Sequence, residues 1–212
     1  MLLHPAKPAR VLLQAADIEP GPSARYADHA DALRTTLTWA RTYLMRPHPQ
    51  LGRPGPVCPF VSGSLRHNEF HLTVCAGLLD GPTVADTIRD YRDWFLELTR
   101  SRPERAHLTT ILILFPDLPT ADIPRLIDGT QSTLKLEFVD SGLMIGQFHR
   151  LPPDQPGLWN PDFRPLHSPV PMLVIRHMVP TDIPFLTSDP RYLDAYRRAF
   201  GAPDAPARSV TQ

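Results

Sequence analysis

Twenty-six of the chain's 212 residues are proline, more than twice the usual ~5%. Proline locks φ and has no amide hydrogen to donate, so it is kept out of helix interiors and central strands. A coiled coil, a helical bundle or a repeat solenoid therefore cannot run through most of this sequence, and long, stiff connections must. Their location is plain: five prolines fall in residues 46–66 and seven in 149–171. Both stretches exceed the ~12–15 residues beyond which a loop without regular structure is usually functional or disordered. Both mix aromatics and arginines with their prolines, which favours ordered, functional loops.

Regular structure is expected elsewhere. Residues 25–45 hold neither glycine nor proline and carry Leu33, Leu37, Tyr43 and Leu44 near helical spacing, which predicts a helix stopped by Pro47 and Pro49. Glu69 to Ala76 alternates as a half-buried strand does. A helix follows from a Thr83 cap to about Arg100, with Val84, Ile88, Tyr91, Phe95 and Leu98 on one face. TTILILF, from Thr109 to Phe115, reads as a strand covered on both faces. A helix over 121–138, strands over 143–148 and 172–175, and a last helix over 191–200 complete the series. Alternating strands and helices predict an α/β or α+β fold, a single sheet covered by helices, with two long ordered proline-rich loops. Residues 1–24 read as an N-terminal arm, 25–201 as one domain and 202–212 as a C-terminal tail.

Charge is balanced, with 22 basic and 22 acidic residues, which removes the compositional argument for nucleic acid or an anionic membrane as partner. A small-molecule partner is expected. Lys7 and Lys135 are the only lysines, so the other 20 cations are arginines, suited to bidentate capture of carboxylates or phosphates. Cys58 and Cys75 are too few for a disulfide scaffold, and no apolar run reaches the ~20 residues of a membrane span. A cytoplasmic protein is expected, and a homodimer is compatible with the sequence.

Four constellations could carry chemistry. Cys58 lies in Val57-Cys58-Pro59-Phe60; such a cysteine is either a small buried hydrophobe or a rigidly presented thiolate of the kind that ligates haem iron. His67, Glu69 and His71 fall on one face if the strand extends through them, about 7 Å apart in successive pairs, which is the inventory of a two-histidine, one-carboxylate iron site or simply a solvated strand face. His149 ends an apolar strand where the chain enters the second loop, which supplies Arg150, Trp159, Phe163 and Arg164: flat walls and cations for a planar, carboxylate-bearing ligand. His177 likewise ends the apolar strand SPVPMLVIRH, with Asp182 and Phe185 after it. Hydrolase, nucleotide-binding and zinc-protease signatures are absent from the sequence.

Taken in order, Cys58-Pro59-Phe60, the TTILILF strand, the Met144-to-His149 strand end, Arg164 and SPVPMLVIRH resemble the YqcI/YcgG family of haem-binding proteins from about residue 55 to 186. The chain is also similar to a narrower group of uncharacterised proteins sharing the PGPVCPF and SPVPMLVIRHM stretches. The first resemblance implies bound haem b and a haem-dependent oxidase or monooxygenase of N-hydroxylase type. Its substrate would be small, amino-acid-derived and guanidine-bearing, consumed with dioxygen or peroxide and a redox partner. His149 matches the family's strand-end histidine and is the implied iron ligand, with Cys58 or His177 as alternatives. His177 is the implied catalytic group, Arg150 and Arg164 would meet propionates or a substrate carboxylate, and Cys58, Phe60, Trp159 and Phe163 would wall the pocket. Arg150 stands where that family has proline, and Arg176 where it has asparagine. Two other classes stay open: a non-haem metal enzyme using His67, Glu69 and His71, and a non-enzymatic haem- or ligand-binding module.

Overall fold

Strands form at the short apolar runs. Leu2–Leu3 (β1) and Val11–Leu12 (β2) pair as a two-stranded antiparallel ladder; Phe70–Val74 (β3), Thr110–Leu114 (β4), Leu143–Phe148 (β5) and Met172–His177 (β6) make a four-stranded sheet in the order β3-β4-β6-β5. The computed structural model describes residues 1–77, 79–154, 160 and 162–201. The expected tail, 202–212, and Trp159 lie outside the described residues. The architecture is mixed α/β, and the sheet is open, not closed into a barrel.

β3 and β4 are parallel and are joined by the helix Gly81–Ser101 (α4), whereas β4 with β6 and β5 with β6 are antiparallel. Period-two geometry divides the sheet's side chains between two helical layers. Ile111, Ile113, Leu173, Ile175 and Ile145 pack under Ile88 and Phe95 of α4 and Leu134 and Phe138 of the helix Gly129–Asp140 (α5). Phe70, Leu72, Leu112, Leu114 and Met172 face the other way, toward Leu33, Leu37 and Trp39 of a helix at Ala30–Trp39.

Several elements differ from the sequence expectation, each for a local reason. The helix over 25–45 is three pieces: a 3₁₀ segment Ala24–His29, the α-helix Ala30–Trp39 and a π turn Ala40–Leu44. The helix over 121–138 is similarly preceded by a π turn at Pro124–Asp128. The cap of α4 is Asp80, not Thr83: its Oδ1 accepts the Thr83 N–H at 2.7 Å, and Pro82 fits the first turn, where no amide hydrogen is needed. Residues 61–66, expected in the first long loop, form a short helix. The N-terminal segment is part of the core: Leu12, Leu13 and Ile18 are buried, Ala15–Ile18 is a helical turn, and Leu13 bridges to Leu72 beside β3. In order of sequence the helices are Ala15–Ile18 (α1), Ala30–Trp39 (α2), Val61–Arg66 (α3), α4, α5 and Pro190–Phe200 (α6). α6 lays Ala195 and Tyr196 against Val139 of α5, Met144 and Met178.

Candidate functional site

The sheet face turned away from α4 and α5 is only partly covered by α2. Over the remainder, Thr110 and Leu112 of β4 and Val174 and Arg176 of β6 floor a cavity of about 400 Å³. Trp39, just before the π turn, and Leu44, its last residue, close one wall; Cys58 and Phe60 from the first proline-rich segment and Phe163 and Leu166 from the second close others. The two segments are tied to each other and to α2. Asn160 Nδ2 donates to the Gln50 carbonyl at 2.7 Å, and the His48 and Phe163 rings lie 5.0 Å apart. The Tyr43 hydroxyl donates to the Arg164 carbonyl at 3.1 Å, and the Trp39 indole N–H to the His167 carbonyl at 3.1 Å. Burial pushes the Tyr43 phenol up to about 12, so it stays a donor throughout the ordinary pH range. Arg53 gathers the carbonyls of Pro54, Pro56 and Val57, and the Cys58 amide donates to the Leu44 carbonyl at 2.8 Å. Prolines with fixed φ and carbonyls held in this way give the wall little freedom to lose when a ligand binds.

Polar groups are few in this apolar enclosure. Arg176 makes a two-pronged pair with Asp182, Nη1 to Oδ2 at 2.7 Å and Nη2 to Oδ1 at 2.5 Å, and its Nη1 also donates to the His177 carbonyl at 2.9 Å. Asp182 is buried and accepts the Val179 N–H as well. Burial alone would lower the Arg176 pKa, but the hydrogen bonds and charge of Asp182, and beyond them the Cys58 sulfur, hold it raised. Arg176 also lines a second chamber of about 110 Å³, shared with Gln131 and Lys135 of α5 and with Gly146 and Phe148 of β5. Phe148 lines both chambers. A Cβ on Gly146 would sit 2.9 Å from Phe148 Cε2, so glycine lets that ring fold back along its own strand. Lys135 Nζ donates to the Phe185 carbonyl at 2.8 Å and lies 4.8 Å from the Tyr192 ring centre; burial lowers its pKa, with Asp189 opposing.

Of the residues singled out in the sequence, Cys58, Phe60 and Phe163 share the cavity wall. His177 reaches the rim only. Being one residue past Arg176 it points to the opposite sheet face, its ring 5.0 Å from Phe95 of α4 and its Nε2 buried without a partner among the described residues. Burial lowers its pKa, opposed by a backbone bond to Gly142. His149 is not in the wall: its Nε2 is 2.9 Å from Asp128 Oδ1, and its Nδ1 accepts the Leu151 N–H at 3.3 Å. Arg150 is exposed, and Arg164 pairs with Asp154 at 2.8 Å. Trp159 lies outside the described residues.

The His67, Glu69, His71 set does not assemble. His67 is the C-cap of α3, Asn68 turns the chain at φ 58°, and the strand begins only at Phe70. Glu69 is buried with its oxygens occupied by Arg102 Nη1 at 2.9 Å and Thr109 Oγ1 at 3.0 Å. His71 is fully buried, 3.6 Å from Glu69, with neither ring nitrogen bonded; burial, and then the Arg102 charge and the N-terminus, lower its pKa to about 4, so it is neutral. Among the described residues no group of three histidine, cysteine or acidic side chains could hold a metal ion. Nor is any helix among them long and apolar enough to cross a membrane.

Sequence reasoning passed over Arg176 and Lys135 as site residues. The first stood out as a charge at the end of an apolar strand and as a departure from the asparagine of the resembled family, the second only as one of two lysines in an arginine-rich chain. No curated protein and no solved structure matches the chain. Residues 33–211, which include every wall residue described above, match the family described as Domain of unknown function (DUF6875), and the chain belongs to that family.

Proposed function

We propose that the cavity is the functional site and binds a flat, largely apolar small molecule. We further propose that its resident group is haem b, so that the protein acts as a haem-dependent oxidase or oxygenase on a small amino-acid-derived substrate. The observation that carries the binding reading is the cavity itself, about 400 Å³, walled by Trp39, Phe60, Phe70, Phe148, Phe163 and Phe185. Ligand sites are typically such apolar hollows with a few placed polar groups. Haem comes from the sequence resemblance, and the wall supports it at one residue: Cys58 brings a sulfur to the cavity on a loop fixed by Pro59 and by the hydrogen bond that the Cys58 N–H donates to the Leu44 carbonyl. His149 does not fit that role, since both its nitrogens are engaged and it lies outside the wall.

Bound there, haem would supply the dioxygen or peroxide chemistry. The chain's own tasks are to hold it through Cys58, to exclude water with the aromatic walls, and to orient polar substituents through Arg176, itself steadied by Asp182. Hemin added to the purified protein should give a Soret band, which Cys58→Ala shifts or abolishes and His149→Ala leaves in position. A protein that takes up no hemin loses the haem reading, and the reverse order of the two variants returns ligation to His149. The second reading, a binding module without turnover, is favoured by one observation: the wall hydroxyl that does meet a carboxylate, Thr109 Oγ1 to Glu69 at 3.0 Å, is buried, and Arg102 neutralises that carboxylate at 2.9 Å. Oxidation of a guanidine-bearing amino acid by the haem-loaded protein, supplied with dioxygen and a reductant, would eliminate it.

A further inference from the structure

Resting on the cavity reading, we infer that the ligand carries a carboxylate, and that it docks at the junction of the two chambers on the Nε–H/Nη2–H edge of Arg176 with Lys135 as the second cation.

A guanidinium has five N–H donors in two planar forks. The end fork of Arg176, one hydrogen each from Nη1 and Nη2, is taken by Asp182, and the remaining Nη1 hydrogen by the His177 carbonyl. The side fork, Nε–H with the second Nη2–H, has no partner among the described residues. Two parallel donors of that spacing match the two oxygens of a carboxylate. Asp182 holds the plane of the guanidinium still, so little freedom is lost when the second fork is used.

The charges agree with this. Arg176 and Lys135 line the same chamber of about 110 Å³, and Asp182 cancels only one of them, leaving one positive charge for a monoanion to neutralise. Asp189, which acts on Lys135 through its charge, is itself held by Arg191 at 2.7 Å. Lys135 spends one hydrogen on the Phe185 carbonyl and retains two. The aromatic body would lie in the larger chamber over Leu112 and Val174 and the acid would point past Phe148, which lines both chambers. The ligand class is therefore a flat aromatic or macrocyclic body bearing a carboxylate.

The carboxylate could belong to a substrate or to a haem propionate, and two pairs of probes separate these sources. Naphthalene-2-acetate should bind the haem-free protein about tenfold or more tighter than naphthalene-2-acetamide, as charge-assisted hydrogen bonds imply. Arg176→Lys, which leaves Asp182 a cation but removes the fork, and Lys135→Met should each bring that preference within about threefold. Unchanged affinity of either variant for the amide reports an intact cavity. Hemin and its dimethyl ester form the second pair. A loss of affinity with the ester that Arg176→Lys cancels assigns the site to a propionate; equal binding, with the naphthalene preference retained, assigns it to a substrate. Equal binding of acid and amide by the unaltered protein overturns the carboxylate inference while the cavity reading stands. Failure of both naphthalene probes and of hemin to bind overturns the two together.

Discussion

His71 and Arg176 lie on two strands of one sheet with β4 between them, and parity decides what each can do. His71, on the α4 face, is wholly enclosed with two unbonded ring nitrogens, an arrangement that costs about 1–3 kcal/mol in unmet hydrogen bonding. Its folded pKa, about 4, lies below the ordinary 6.5. The unfolded chain therefore takes up a proton first as pH falls. The stability His71 permits is complete above about pH 6.5 and is lost as pH falls toward 4, at a limiting slope of about 1.4 kcal/mol per pH unit. Urea unfolding of His71→Leu should show a gain of about 1 kcal/mol at pH 7 and a shallower decline than the parent between pH 6.5 and 4. A variant that follows the parent's acid limb in parallel would mean that His71 is already protonated in the fold. Arg176, on the other face, meets the cavity instead, and its neighbour His177 is carried away from it by the same alternation. Two histidines leaving two apolar strands were visible in the sequence. Their convergence was not available from it, since one sits against Asp128 and the other against Phe95.

Among the elements, β5 shows how a strand can be shaped for a site. Leu143–Phe148 was legible as an apolar run, but nothing in the run shows that Gly146 makes room for the Phe148 ring. Valine at 146 suits a strand by propensity, yet its Cβ would meet that ring at 2.9 Å. Gly146→Val should therefore destabilise by about 1–3 kcal/mol in urea unfolding and weaken binding of both naphthalene probes, because the ring must leave its place between the chambers. An unchanged affinity with an unchanged midpoint would show that Phe148 is free to turn elsewhere. The π turns at Ala40–Leu44 and Pro124–Asp128 were read as ordinary helix, since an extra residue in one turn leaves the apolar stripe almost intact. Their consequence is positional: one ends at Leu44 in the cavity wall, the other at Asp128, the partner of His149.

The fold as a unit places its N-terminal segment differently from the arm expected of residues 1–24. Leu13 is buried and its backbone exchanges hydrogen bonds with Leu72, 2.7 Å from Leu13 N–H and 2.8 Å from Leu72 N–H. The segment thus covers the outer side of β3, a strand edge that would otherwise be open. Leu13→Ala should cost about 2–5 kcal/mol, as core truncations do, measured by chemical unfolding; a cost below about 0.5 kcal/mol would return the segment to the status of a peripheral arm. At the same level the two proline-rich stretches become a single object. Eighty-two residues separate them in sequence, and Asn160 with Gln50 and Phe163 with His48 bring them together over the sheet.

Fold class, the apolar strands and the principal helices follow from the sequence, because each depends on local backbone preference or on a short apolar period. The site is different. Whether Cys58, Phe163, Arg176 and Lys135 meet depends on strand order and on which face of a strand a side chain takes, and these are set by packing between residues far apart in the chain. A shift of one position exchanges the faces. That is why proline content pointed to two of the cavity's walls, and why only the tertiary structure decided that an arginine, with its aspartate and a half-buried lysine, forms its polar end.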